Sequence, residues 1–219
     1  MEPRSARILV TGAASGIGRS AAILLAHRGA RVLALDVADE AGAALAAEAA
    51  GGPGELVYRH ADVTDEGQLR DAVADAVARW DGVDALVTVA GVMRGQLQDI
   101  RTFDEATWDL VVDTNLKGAF LAAKHAAGPM LAAGRGTIVL VGSKAGVSGG
   151  SGSYAYGASK GMPFRPGAFS NASAEAPGRT RSFPLTWIRQ GRPTLRTTGT
   201  TISARASFSS MTFPVLTAV

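Results

Sequence analysis

Tyr156 and Lys160 stand four residues apart in Tyr156-Gly157-Ala158-Ser159-Lys160, so a helical segment would carry a phenol and an ammonium on one face. Reducing a carbonyl by hydride calls for a proton donor at the oxygen, and oxidising an alcohol calls for a base. A free tyrosine, with a pKa of about 10, is a poor base near neutrality. A neighbouring lysine cation favours the phenolate and brings the phenol toward the working range. Ser143, thirteen residues upstream and just past an apolar run, could hydrogen-bond the same substrate oxygen. Tyr154 is the competing phenol, but the residue four further on is Ala158, which leaves Tyr156 the better candidate. The Tyr and Lys spacing taken alone is common by chance on helices.

A second group of residues suits a dinucleotide. Thr11-Gly12-Ala13-Ala14-Ser15-Gly16-Ile17-Gly18 lies between a strand-like run and a helix-like one. Gly12, Gly16 and Gly18 let the backbone turn tightly and approach a pyrophosphate, with Ser15 and Ile17 between them at the start of the helix. A helix N-terminus there offers free N–H groups and a favourable dipole. The spacing is Gly-x-x-x-Gly-x-Gly, not the commoner Gly-x-Gly-x-x-Gly. Eighteen residues past Gly18, at the end of the second apolar run, comes Asp36, whose carboxylate can accept from the adenosine ribose hydroxyls and repel a 2′-phosphate. That acid, with uncharged Ser15 in the turn, points to NAD in preference to NADP. Glycines alone would mark any tight turn; strand, turn, helix and distant acid together are far more specific. Asp62-Val63 lies where an adenine could be flanked, or is an acid leading a helix. Ala90-Gly91 ends the fourth apolar run, where small residues allow close cofactor approach or simply tight packing.

These residues need a frame, and the sequence predicts one. Short apolar runs at Ile8–Val10, Val32–Leu35, Leu56–Tyr58, Ala85–Val89 and Thr137–Val141 alternate with longer amphipathic stretches, the pattern of repeated βα units and a parallel sheet. Ile17, Ala21, Leu24 and Arg28 share one helical face before Gly29. Thr64 is expected to cap a helix in which Leu69, Val73, Ala76, Val77 and Trp80 recur at helical spacing. A long helix is expected from about residue 106 to residue 133, closed by Gly134 and Gly136.

Thr11–Gly18, Asp36, Asp62, Ala90-Gly91, Asn115, Ser143, Tyr156 and Lys160 resemble, in order and approximate spacing, the short-chain dehydrogenases/reductases. The resemblance covers about the first three quarters of the chain. It implies an α/β, doubly wound Rossmann fold in residues 1–160, with Tyr156 as proton donor and acceptor in reversible oxidation of a secondary alcohol. It further implies that Lys160 holds the nicotinamide ribose, that Ser143 positions the carbonyl, and that Asn115 supports a water relaying protons to Lys160. Cofactor contacts would come from Gly12, Ser15, Gly16, Ile17, Gly18, Asp36, Asp62, Val63, Ala90, Gly91, Tyr156 and Lys160. The partners implied are a small-molecule substrate and further copies of the chain.

Two features depart from that family pattern. Thr88-Val89-Ala90-Gly91 stands where the family has Asn-Asn-Ala-Gly, so the first Asn's bonding across the sheet is missing, and Thr88 could replace part of it. After Lys160 the helical pattern stops at Gly161, Pro163 and Pro166. Ser, Thr, Arg and Pro supply 29 of residues 161–219, which hold seven Arg and one acid, while residues 1–160 carry 15 basic and 18 acidic residues. The basic pI therefore reports the tail, not the core. Residues 161–219 are read as an atypical segment arising from a reading-frame change, poorly packed and making few contacts with the sheet. Trypsin is expected to cut there first, at Arg165, Arg179, Arg181 and Arg189, and Thr201–Ser207 could form an edge strand. Such a tail leaves room for a second reading, a cofactor-binding remnant without activity, and puts assembly into oligomers in question.

The composition excludes other classes. Without cysteine there are no disulfides and no thiolate chemistry, and His27, His60 and His125 are too scattered for a metal site. No apolar stretch is long enough for a membrane span and no export signal opens the chain, so the cytoplasm is the expected compartment. The tail arginines lack interleaved aromatics, so nucleic acid is not an expected partner.

Overall fold

The computed structural model describes residues 5–148 and 151–161, together with the backbone of five short strands between residues 175 and 203. Five parallel strands alternate with helices: β1 (Arg7–Thr11), α1 (Gly16–His27), β2 (Arg31–Asp36), α2 (Asp39–Glu48), β3 (Glu55–His60), α3 (Glu66–Trp80), β4 (Ala85–Thr88), α4 (Glu105–Val112), α5 (Gly118–Ala133) and β5 (Thr137–Val141). Two short helices follow, α6 (Ala145–Ser148) and α7 (Tyr154–Gly161), then β6 (Glu175–Ala176), β7 (Arg179–Thr180), β8 (Leu185–Ile188), β9 (Thr194–Thr197) and β10 (Thr200–Ser203). This is the doubly wound Rossmann-like arrangement. Strand order is β3-β2-β1-β4-β5-β8, so the chain leaves β1 toward one edge and resumes at β4 toward the other. That reversal opens a crevice at the carboxyl ends of β1 and β4, where open α/β sheets bind ligands.

Alternating side chains divide the core into two layers. Ile8, Val10, Val32 and Ala34 face α1 and α2 with Ala22, Ala26 and Leu45. Leu9, Leu33, Leu35 and Leu86 face α3 and α5 with Leu69, Trp80, Leu121 and Met130. The sheet is covered on both sides, which is why β1, β2, β4 and β5 have apolar centres, while the edge strand β3 is half-buried and carries Glu55, Arg59 and His60.

The opposite, amino edge of the sheet is closed by charge. Asp84, just before β4, receives Arg7 through Nε at 2.7 Å and Nη2 at 2.8 Å, and Arg135 Nε at 3.2 Å. The Arg7 guanidinium holds the buried Asp84 carboxyl below the usual carboxylate range. The starts of β1, β4 and β5 are thereby tied together.

Several local expectations are corrected. The buried face of α1 is Gly18, Ala22 and Ala26, while Ile17 is exposed, because only small residues fit where the helix crosses the sheet closely. Asp65, not Thr64, caps α3 by accepting from Gln68 N, since Thr64 is turned away to donate to Asp62. Val77 points outward from the same helix. The long helix is interrupted: α4 passes into a wide π-type turn at Asp113–Lys117 before α5, which ends at left-handed Gly134.

Beyond residue 161, the backbone of β8 lies parallel to β5, pairing Ile138 with Leu185 and Val141 with Ile188. The expectation of few tail contacts with the sheet therefore fails at Leu185–Ile188, the tail's most strand-prone apolar run. Of the expected edge strand at Thr201–Ser207, residues 201–203 fall in β10 (Thr200–Ser203), which pairs antiparallel with β9 in a separate two-stranded sheet, and residues 204–207 lie outside the described residues. Arg165, Arg181 and Arg189 lie outside the described residues. Among the described residues no helix is long and apolar enough to cross a membrane.

Candidate active site

The phosphate turn is built by contact, not by flexibility. Gly12 has φ +67°, and a Cβ there would sit 2.6 Å from Ala90 Cα, so the turn passes directly over the end of β4. At Gly18 a Cβ would run into the Gly12 carbonyl. Ser15 and Gly16 are exposed at the first turn of α1, where free N–H groups face the crevice.

Asp36 closes one side of this turn. Its Oδ2 accepts from Ala14 N at 2.9 Å, and its Oδ1 accepts from Val37 N at 2.8 Å and Ala38 N at 3.1 Å. The acid is thus fixed between the phosphate turn and the β2–α2 turn, with lone pairs left for another donor. Asp62 is tied locally: its Oδ1 accepts from Thr64 N and Thr64 Oγ1, both at 2.8 Å. Val63 is buried against Gly118, where a Cβ would meet Val63 Cγ2 at 2.7 Å. Thr88 takes the position of the family's first Asn; it is buried, and its hydroxyl donates to Val139 O at 3.5 Å, a weak bridge to β5.

The second half of the site gathers at Gly91. An added Cβ there would lie 3.1 Å from both Asn115 Oδ1 and Lys160 Nζ, so the end of β4, the π-type turn and α7 converge on one small residue. Asn115 is 4% exposed and fully engaged. Its Oδ1 accepts from Val92 N at 2.7 Å, and its Nδ2 donates to Val92 O at 2.9 Å and Ser159 Oγ at 3.0 Å. The π-type turn is what brings this side chain inward, a use such bulges often have at functional sites.

Lys160 is 6% exposed, with a 3.4 Å contact to Val141 O as its bond to the sheet. Burial pushes its ammonium down to about 8. Tyr156, one helical turn earlier, is half-buried. Tyr154 is separated from it: exposed, it stacks edge-on against Phe103 with ring centroids 5.4 Å apart. Ser143 is buried just past β5 and accepts from Ala145 N at 3.2 Å, leaving its O–H as a donor. Its loop is held against α7 by glycine contact, since a Cβ on Gly146 would collide with the Lys160 carbonyl.

Sequence reasoning missed three partners. Ser159 links Asn115 to the Tyr156 carbonyl, to which it donates at 3.0 Å. Val92 offers both its backbone groups to Asn115, and Val141 its carbonyl to Lys160. Only Ser159 had a readable signal, its place inside the Tyr-x-x-x-Lys motif; the backbone partners have none. Among the described residues no group of three or more His, Asp or Glu could hold a metal ion.

The sequence profile described as short chain dehydrogenase matches residues 6–162. The chain belongs to this family. Among short-chain dehydrogenase relatives, (+)-borneol dehydrogenase 2 of Salvia officinalis is 40% identical over 152 residues, covering 69% of this chain and 53% of the relative. The 3-oxoacyl-[acyl-carrier-protein] reductase FabG of Thermotoga maritima is 38% identical, covering 69% of this chain and 61% of the relative. A crystal structure of a putative short-chain alcohol dehydrogenase from Sinorhizobium meliloti superposes with a TM-score of 0.67 at 36% identity, covering 72% of this chain and 62% of the other. The chain thus spans between about half and about three fifths of the length of these relatives.

Proposed function

We propose that this short-chain dehydrogenase transfers a hydride between a nicotinamide dinucleotide and a secondary alcohol or its ketone. The observation that carries the reading is the convergence of buried Lys160 and Asn115 on Gly91, one helical turn from Tyr156, at the carboxyl ends of β4 and β5. The residues suit the dinucleotide: Gly12 and Gly18 leave backbone where a Cβ would not fit, α1 presents free N–H groups, and Asp36 keeps a carboxylate at the end of β2. The dinucleotide, when bound, supplies or accepts the hydride.

The protein's own residues manage the proton. Tyr156 takes the alcohol proton in oxidation and returns it in reduction. The buried Lys160 ammonium, charged below about pH 8 and one helical turn from Tyr156, stabilises the phenolate. Ser143 donates to the substrate oxygen, a bond that strengthens as negative charge gathers there. Asn115, its side chain engaged by Val92 and Ser159, would support a proton-relay water beside Lys160 through its backbone. Asp36 accepts from the ribose hydroxyls and opposes a 2′-phosphate, so NAD(H) is preferred over NADP(H). Relatives named for borneol and for cyclopentanol support alicyclic secondary alcohols as first substrates to try.

Fluorescence titration with NADH and NADPH, followed by turnover assays with cyclopentanol and borneol, tests the reading. Tighter binding of NADPH overturns the cofactor preference, and failure of both nucleotides to bind overturns the function. A second reading has its own support: the family match stops at residue 162, leaving the basic tail unmatched. In that reading residues 1–160 are a cofactor-binding core and 161–219 a frameshifted tail, and the chain binds NADH without turnover. Binding with no turnover of any secondary alcohol, and a family-like helix, strand and Pro-Gly loop in another reading frame past codon 160, would favour it.

A further inference from the structure

Tyr58 is absent from every motif above, yet it occupies a built position beside Asp36. Its ring lies flat against α2 at Gly42, where a Cβ would collide with the ring carbons, so glycine is needed to admit it. Its hydroxyl stands 2.9 Å from the Asp36 carbonyl oxygen and 2.8 Å from Asp39 Oδ1. Both neighbours are acceptors, so one phenolic proton is shared between the first and last residues of the Asp36–Asp39 turn. His60, opposite Asp36 in the β2–β3 register, places Nδ1 2.8 Å from the same Asp39 oxygen; a carboxylate only accepts, so Nδ1 carries the hydrogen. The phenol and imidazole hold Asp39 below the usual carboxylate range, and Tyr58 is in turn pushed up by its burial and by Asp39.

The Asp36 carboxylate can choose between nucleotides only if the turn behind it is fixed. Asp36 itself is anchored, through Ala14 N on Oδ2 and Ala61 N on its carbonyl, but its bonds to Val37 N and Ala38 N lie within the turn and leave the far end, at Asp39, to other contacts. Tyr58 and His60, both on β3, hold that far end, and the Tyr58 hydroxyl bridges it to Asp36.

We propose that Tyr58, with Asp39 and the Gly42 slot, is a positioning residue that sets nucleotide choice by fixing the turn that presents Asp36. The inference rests on the nucleotide reading of the preceding subsection. Losing the anchor frees the turn: ribose bonds weaken, and the repulsion of a 2′-phosphate is averaged over a larger space.

The test uses the full chain and NADH and NADPH binding followed by fluorescence, alongside thermal unfolding without nucleotide. Tyr58→Phe keeps the ring in its slot and removes the shared proton. Its Kd for NADH should rise about threefold to tenfold, the size expected for one hydrogen bond, with a smaller rise or a fall for NADPH. Asp39→Ala should change the NADH to NADPH preference in the same direction, and Asp39→Asn, which still accepts from the phenol, should restore most of it. The double variant Tyr58→Phe with Asp39→Ala should change the preference by less than the sum of the two single changes, because both remove the Tyr58–Asp39 bond. A purely structural role would lower the unfolding midpoint and leave the preference within twofold of the wild type. That result overturns the inference while the nucleotide reading stands. Failure of the unaltered protein to bind either nucleotide overturns both.

Discussion

Asn115 donates to Ser159 Oγ at 3.0 Å across the gap between the π-type turn and α7. Ser159 passes the bond on to the Tyr156 carbonyl, so the backbone that carries the phenol is tied to the turn that carries the amide. Position in this site is therefore transmitted by one buried amide and one buried hydroxyl, with no ion pair between the two elements.

Removing that amide should cost stability first. Asn115→Leu keeps the volume but strands Val92 N and Val92 O, both bonded to Asn115 in the native protein. Chemical denaturation should show a loss of about 2–4 kcal/mol, the scale for leaving partly buried polar groups unpaired. Ser159→Ala, which frees a single hydroxyl's worth of bonding, should cost about 1 kcal/mol. Equal costs for the two variants would contradict the central role given to Asn115.

Tyr156→Phe separates chemistry from binding. Turnover of a working secondary alcohol should fall by about 10²-fold or more, the contribution typical of a positioned acid or base. The Kd for NADH should change by less than about threefold, because the lost group acts on the transition state. Tyr154→Phe, at the exposed phenol stacked on Phe103, should leave turnover near normal. Reversal of the two effects would assign the wrong phenol.

Lys160 makes a pH-dependent prediction of definite sign. Burial lowers its pKa to about 8 from the ordinary 10.5, so between those values the native state holds fewer protons than the unfolded state. Stability then rises with pH across that window. Below about pH 8 the cost of burying the ammonium is fully present. Lys160→Met should therefore be the more stable protein at pH 7, by roughly 3 kcal/mol at the scale of 1.4 kcal/mol per pKa unit. Urea denaturation from pH 7 to 10.5 should show that advantage fading, while turnover is lost throughout. A difference independent of pH would mean that the lysine is solvated.

Gly12→Ala and Gly16→Ala compare two kinds of constraint. Both glycines have positive φ, but only Gly12 faces backbone, with Ala90 Cα 2.6 Å from an added Cβ; at Gly16 nothing lies within 4 Å. Gly16→Ala should cost about 1–2 kcal/mol, the price of a left-handed backbone. Gly12→Ala must also push β1 and β4 apart, and should weaken NADH binding at least about tenfold beyond Gly16→Ala. Thermal unfolding and nucleotide titration on both variants check this.

Much of this arrangement was legible before any coordinates. The five apolar runs became β1–β5 because parallel strands covered on both faces need apolar centres, a pattern that hardly depends on context and that weakens only at the edge strand β3. Tyr156 and Lys160 fell on one helix because their spacing matches its period. What stayed hidden depends on contacts between distant segments. The buried face of α1 is not legible because helical periodicity draws the eye to large side chains, whereas the crossing selects Gly18, Ala22 and Ala26 for smallness. The π-type turn at Asp113–Lys117 is hard to read, because the shift of helical face by about 100° that one extra residue makes is lost in the scatter of so short an amphipathic pattern. Tyr58 reads as a strand residue of no special interest until Gly42 and Asp39 are brought to it by folding.

The charge cluster at the amino edge of the sheet has an engineering consequence. Arg7, Asp84 and Arg135 stitch three strands together at the end remote from Gly12, Gly91 and Tyr156. Stability can therefore be varied at one end of the sheet and the candidate site at the other. A library confined to residues around Asp84 could raise or lower heat tolerance while leaving kinetic parameters alone, and a library at the other edge could explore new alcohols on a constant chassis.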